Sequence, residues 1–169
     1  ARSFRGLELP PRGFRLKNRQ DLPMGSLMTA KVEALVKSAV STVFDTMLNM
    51  PMKEVTGDGY SFGNELQIAS SVGFTGNLNG VIYLYSTVKF AGRITSGLLG
   101  LSEEEAQQEE YVNDAMGEIA NMVVGHVKSR LTDSGVACVM TIPSIVRGSR
   151  LGIEAVSRTE VVRLSFLNG

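Results

Sequence analysis

The sequence predicts an α+β two-layer sandwich. A mainly antiparallel sheet packs against long helices, in the order α-βββ-αα-βββ. Three observations predict it. Apolar residues recur at three-to-four spacing over 28–49 and again over 111–131. Segments rich in β-branched and aromatic residues occupy 65–86 and 136–167, cut by Gly, Asn and Pro turn signals. The links between neighbouring strands are too short for crossover helices, so hairpins and antiparallel pairing follow.

Each element has its own justification. Val32, Leu35, Val36, Ala39, Val40, Val43, Phe44, Met47 and Leu48 make one apolar face over 28–49, and Met50-Pro51 closes that helix. Short strands are expected at roughly 52–56, 65–74 and 78–86, the last introduced by Gly76-Asn77 and Asn79-Gly80. Ser86 or Thr87 then caps a helix that runs through Leu99 and stops at Gly100. Ser102 and Glu105 have capping-box spacing and open a helical region reaching about Leu131, with a break near 107–110. Thr132-Asp133-Ser134-Gly135 ends it, and strands are expected at 136–147, 150–157 and 160–167.

The 169 residues suit one domain. Seventeen basic residues balance seventeen acidic ones, which argues against a general nucleic-acid binder. The balance is a sum of unlike parts. Residues 1–26 hold six basic and two acidic residues, net +4, and the remainder holds 11 basic and 15 acidic, net −4. Residues 1–26 also carry Pro10, Pro11 and Pro23 and no apolar periodicity. They read as a basic leader, vector-derived, with a native basic arm as the alternative. The domain proper is expected at 27–169. Cys138 and His126 are each alone of their kind, which removes intramolecular disulfides, thiolate zinc sites and most nucleophile–histidine arrangements. No apolar run approaches the ~18 residues of a membrane span, and no phosphate-cradling glycine loop is found. A cytoplasmic protein without a metal site of its own is expected.

The chemistry concentrates in Tyr111 to Leu131. At about 100° per residue, Met116, Ile119, Ala120, Val123, Val127 and Leu131 form one stripe that should face the sheet. Asp114, Glu118, Asn121 and Gly125 lie on the opposite face. Glu118 and Asn121 are neighbours at i, i+3, and Gly117 and Gly125 flank them without side chains. Two glycines inside a helix cost about 1 kcal/mol each relative to alanine, which suggests close approach of a partner to this backbone. An amide carries both donor and acceptor and can hold a water. A carboxylate can pair with a cation. Together they could orient water for attack on phosphorus without a general base. A polar pair on a solvated helix face is the plainer reading of the same spacing.

These residues also resemble a known family. Gly117-Glu118-Ile119-Ala120-Asn121-Met122-Val123-Val124-Gly125 is similar to the E-x-x-N helix of the CheC/CheX/FliY group of chemotaxis phosphatases, the CheX branch above all. Val43 to Leu48 resembles the end of that branch's first helix, and Asn79 to Gly100 a strand and the helix after it. Ile142 to Gly148 resembles its proline-led strand. The resemblance spans about 28–169. It implies a CheC-like fold and a phosphatase acting on the phospho-aspartate of a CheY-like response regulator. It further implies that Asn121 orients the attacking water and that Glu118 pairs with the regulator's active-site lysine. The regulator would bring Mg²⁺ and the phosphoryl group, leaving this chain without a cofactor of its own. A second E-x-x-N, which CheC proteins carry in the first helix, is missing: Glu33 is followed at +3 by Val36. The branch's tendency to pair through sheet edges implies a homodimer, with the strands between Arg147 and Arg163 as the candidate edge.

The remaining polar and soft residues have plainer expectations. His126 falls at the border of the apolar stripe and reads as structural, and Cys138 reads as a small buried hydrophobe. Most of the eight methionines should fill core, while Met122, near the site face, could add an adaptable docking contact, as could Asp114 and Gly125. Glu103-Glu104-Glu105 and Glu109-Glu110 suit a solvated helix start, with acidic steering of a basic regulator surface as the alternative. A non-catalytic adaptor that binds a receiver domain is the second functional reading. Nucleic-acid binding by the basic leader is a weaker third.

Overall fold

A computed structural model describes residues 24–56, 62–154 and 160–168. The chain folds as α1 (Met24–Leu48), β1 (Met52–Val55), β2 (Leu66–Gly76), β3 (Gly80–Thr87), α2 (Val88–Leu99), a 3₁₀ turn (Glu105–Gln107), α3 (Glu109–Asp133), β4 (Cys138–Met140), β5 (Ser144–Ser149) and β6 (Ser165–Asn168). The element order is the expected one. Helix α1 begins four residues before position 28, at Met24, so Met24–Ser26 belong to it; the rest of the expected leader, 1–23, lies outside the described residues.

The helix ends follow local chemistry. Asn49 closes α1 in the left-handed region (φ 51°), and the N–H of Met50 donates back to the carbonyl of Phe44 at 3.0 Å. Thr87 Oγ1 accepts from the N–H of Phe90, and Gly100 (φ 67°) ends α2. Ser102 and Glu105 make the reciprocal box: the Ser102 N–H donates to the Glu105 carboxylate at 3.2 Å, and the Glu105 N–H donates to Ser102 Oγ at 3.3 Å. The box opens only the short 3₁₀ turn, and the chain breaks at Gln108 before α3 starts. The Ser102 hydroxyl, which also donates to the Glu105 carboxylate at 2.6 Å, and the Ser102 N–H hold that carboxyl below its ordinary pKa.

The main sheet is antiparallel with β2 at its centre, flanked by β3 on one edge and by β4 and β5 in succession on the other. Its helix-facing side carries Ile68, Ser70, Val72 and Phe74, all buried. Against it lie Ala91 and Ile94 of α2 and the stripe of α3, and Val40, Val43 and Phe44 of α1 complete the same core from a helix that packs on α3, α2 and β1. Helix α3 contacts α1, α2 and every strand of this sheet, so it is the central element of the helical layer. A second, two-stranded sheet pairs β1 with β6. Lys37 ties it to α1 by bridging Glu33 (2.8 Å) and Glu54 (2.7 Å). Among the described residues no helix is long and apolar enough to cross a membrane.

The C-terminal strands depart from expectation. The run 136–147 is not one strand. It pairs with β2 as β4 and again as β5, and between Phe74↔Met140 and Ser71↔Ser144 three residues, 141–143, face two, 72–73. This is a β-bulge. Thr141 holds it, its N–H donating to the Gly73 carbonyl at 2.9 Å while the Gly73 N–H donates to Thr141 Oγ1 at 2.9 Å. Pro143, which has no N–H for a ladder, completes it. The expected strand 150–157 does not form over 150–154, and 155–157 lie outside the described residues. Arg150 turns the chain at φ 56°, and the Leu151 N–H donates to the side chain of Gln67 instead of to a strand. The last strand is only 165–168, because pairing with the four-residue β1 sets its length.

Two positions in β2 have direct consequences for stability. Gly76 has φ 148°, and a Cβ there would lie 2.5 Å from the carbonyl oxygen of Ala137 and 2.9 Å from Cys138 Cα. Ser70 is fully buried and its hydroxyl has no hydrogen-bond partner among the described residues. An unmet buried hydroxyl carries its desolvation cost without return, so Ser70→Ala should stabilise the fold by about 1 kcal/mol. Chemical denaturation would show a higher midpoint with an unchanged slope, and a lower midpoint would refute the account.

Candidate functional site

Helix α3 is anchored deeply along one face. The six stripe residues Met116, Ile119, Ala120, Val123, Val127 and Leu131 are all buried, joined by Val112, Ala115, Gly117 and Val124. Packing on that side fixes what the other side can present. Asp114 and Glu118 are exposed, and Asn121, Met122 and Gly125 are half-buried. The sequence therefore places Glu118 and Asn121 correctly: one turn apart on the open face, with Cβ atoms about 5–6 Å from each other as any i, i+3 pair. Among the described residues neither side chain hydrogen-bonds or ion-pairs with the rest of the chain. Their donors and acceptors are turned outward.

Such a pair can accept a hydrogen bond or a cation through the carboxylate, and can donate and accept at once through the amide. Asp114, one turn before Glu118, adds a second exposed carboxylate on the same face. Met122 is half-buried against the core, so its adaptable side chain serves packing as well as the rim of the face. His126 is half-buried, and Cys138 is buried in β4 as a small hydrophobe. No group of three or more His, Cys, Asp or Glu able to hold a metal ion occurs among the described residues.

The two glycines of α3 divide in role. A Cβ on Gly117 would meet Pro143 of the bulge at 3.6 Å, so the close approach read from this glycine comes from the chain's own sheet. A Cβ on Gly125 would meet nothing within 4 Å, so that stretch of helix backbone is open. Gly125→Ala should therefore stabilise the helix by about 1 kcal/mol, since alanine has far less backbone freedom to lose. If a partner seats on this face, the same methyl raises the KM for that partner. A stabilised variant with unchanged KM would remove Gly125 from the site.

Sequence reasoning missed what holds α3 in place. Arg147 of β5 donates from Nε to Asn113 Oδ1 at 2.9 Å and from Nη2 to the carbonyl of Glu109 at 3.1 Å. Its ion pair with the Glu109 carboxylate, at 3.9 Å, is the weaker part, because Glu109 is largely exposed. These bonds pin the first turns of α3 to the sheet, next to the contact of Pro143 with Gly117. The mid-helix glycine was the visible signal for that contact. Nothing in the spacing of Arg147 and Asn113 signals theirs, because 34 residues separate them.

A helical layer centred on an E-x-x-N helix and packed on an antiparallel sheet is the arrangement that the resemblance to the CheC/CheX/FliY group implies. Within that group, the family model for chemotaxis phosphatase CheX matches residues 68–167. The chain belongs to the CheX family. The CheY-P phosphatase CheX of Thermotoga maritima is 27% identical over 126 residues, covering 72% of this chain and 80% of that protein. The crystal structure of chemotaxis protein CheX from Vibrio vulnificus is similar with a TM-score of 0.69 at 23% identity, over 80% of this chain and 87% of that one. The CheX–CheY–BeF₃–Mg²⁺ complex of Borrelia burgdorferi is similar with a TM-score of 0.53 at 21% identity, over 68% and 75%.

Proposed function

We propose that this protein is a phosphatase that removes the phosphoryl group from the aspartate of a CheY-like response regulator and so ends a chemotaxis or two-component signal. The observation that carries the reading is the Glu118–Asn121 pair, presented without internal partners among the described residues on the open face of a helix whose opposite face is buried. Membership of a phosphatase family supports it, as does the relative named CheY-P phosphatase. In this reading Asn121 enters the receiver's active site and holds a water in line with phosphorus. The amide accepts from the water with its oxygen and donates with its nitrogen, so the water is oriented without being deprotonated in advance. Glu118 pairs with the receiver's active-site lysine and fixes the depth and rotation of α3. Asp114, Met122 and Gly125 border the contact.

The partner completes the chemistry. The receiver supplies the acyl phosphate and the Mg²⁺ that neutralises it, so the helix has to contribute only position. That division suits a face built from an amide, which orients water by hydrogen bonds alone, and a carboxylate engaged with a cation. The reaction belongs in the cytoplasm, where response regulators act. A homodimer is part of the proposal: the edge of β5 away from β2 is unpaired among the described strands and open to a second copy. Light scattering in solution would read its mass.

The deciding measurement is phosphate loss from a panel of acetyl-phosphate-charged receivers, with and without this protein. Faster loss from one receiver supports the reading. Binding to a charged receiver without acceleration would replace it with an adaptor.

A further inference from the structure

Ile142 is 85% exposed, the highest value among the described large hydrophobic residues. Lone exposed hydrophobics are ordinary. This one differs in its mounting and its place. It is the middle residue of the bulge 141–143, and both its neighbours are fixed. Thr141 is bonded to Gly73 through its N–H and its hydroxyl oxygen, each at 2.9 Å. Pro143 has a locked φ and rests against α3 at Gly117, 3.6 Å from where a Cβ would stand. The apolar side chain is thus carried into solvent on a backbone that has already lost its freedom, and immobilising it on contact costs little further entropy.

The place is the edge of the Glu118–Asn121 face. Gly117, on which Pro143 rests, directly precedes Glu118 and lies one turn before Asn121. At about 100° per residue, Gly117 stands about 40° around the helix from Asn121. The bulge therefore borders the face on the asparagine side. We propose that Ile142 is a specificity-determining contact of the phosphatase: an apolar anchor that seats on a hydrophobic patch of the receiver beside its phosphorylated aspartate. The assignment rests on the function given above and names a residue of the same interface outside helix α3. It pairs an apolar contact, which supplies affinity through buried area, with a polar pair that supplies orientation. A receiver with a charged residue at the matching position is a poor substrate.

The test is steady-state dephosphorylation of the cognate receiver by the full chain, with Ile142→Ser, Ile142→Leu and the unaltered protein. Ile142→Ser should raise KM about tenfold, the scale of one lost aliphatic contact, with kcat within a factor of two. Ile142→Leu should keep both constants near the original. Because the side chain is outside the core, the melting temperature of either variant should stay unchanged. An unaltered KM in Ile142→Ser overturns the assignment while the phosphatase function stands. A fall in kcat at constant KM also overturns it, since that would make the bulge a support for Asn121 only. Failure of the unaltered protein to accelerate phosphate loss from any receiver removes the function and the assignment together.

Discussion

Asn121→Ala is expected to return phosphate loss from the cognate receiver to its unassisted rate. The physical case is positional. A water held in line by an amide enters the reaction as part of a pre-formed arrangement, and losing that arrangement costs on the order of a hundredfold in kcat. Alanine in place of asparagine leaves the helix intact, because the side chain is half-buried and bonded to nothing else among the described residues, and alanine is the better helix former. The variant should therefore melt no lower than the original and still bind the charged receiver. Retained acceleration would dismiss Asn121 as the water-positioning group. Glu118→Ala should separate from it. An exposed carboxylate pairing with a lysine contributes to docking, so KM should rise several-fold, in line with a charge-assisted bond at a partner surface, and kcat should fall less than for Asn121→Ala. Reversal of that order would exchange the two roles.

Gly76→Ala is expected to be the most damaging small substitution in the fold. At φ 148° an L-residue is strained, and the new methyl would press on the backbone of Ala137 and Cys138, which cannot rotate away as a side chain could. Strain in a sparsely populated region and overpacking cost about 1–3 kcal/mol each, and here they add. Gly76 pairs directly with Cys138, so relief would have to come from separating β4 from β2. A melting temperature within a degree or two of the original would refute this. The contrast with Gly125 is instructive: both are glycines, yet one sits against backbone and the other faces open space.

Helix α3 and its exposed pair were legible because they depend on local periodicity. Every stripe residue named from spacing is buried, and Glu118 and Asn121 fall on the far side by the same arithmetic. Helix α2 was legible to within a residue: its start was narrowed to Ser86 or Thr87, of which Thr87 is the cap, and its stop falls at Gly100 as expected. The C-terminal strands were not. An apolar run from 136 to 147 looks continuous, and its interruption depends on Gly73, 68 residues away from Thr141. The end of β5 likewise depends on the side chain of Gln67, 84 residues from Leu151. The wider site shares this character. Gly117 announced a close contact, but whether the visitor was foreign or the chain's own bulge is a matter of topology that helix periodicity does not carry.

The extra residue at 141–143 has an effect beyond the loop it occupies. Along a strand, side chains alternate between faces, and one inserted residue inverts the alternation. Before the bulge the even-numbered Cys138 and Met140 pair with the helix-facing Gly76 and Phe74 positions; after it the odd-numbered Ile145 and Arg147 pair with Ser70 and Ile68. The bulge is a phase shifter in the strand. Without it, Val146 would point where Arg147 now reaches Asn113 and Glu109, and the arginine would stand on the far side of the sheet. Removing one residue between Thr141 and Pro143 would instead cancel the extra residue and leave Arg147 opposite Ile68, still on the side of the helix that carries Glu118 and Asn121.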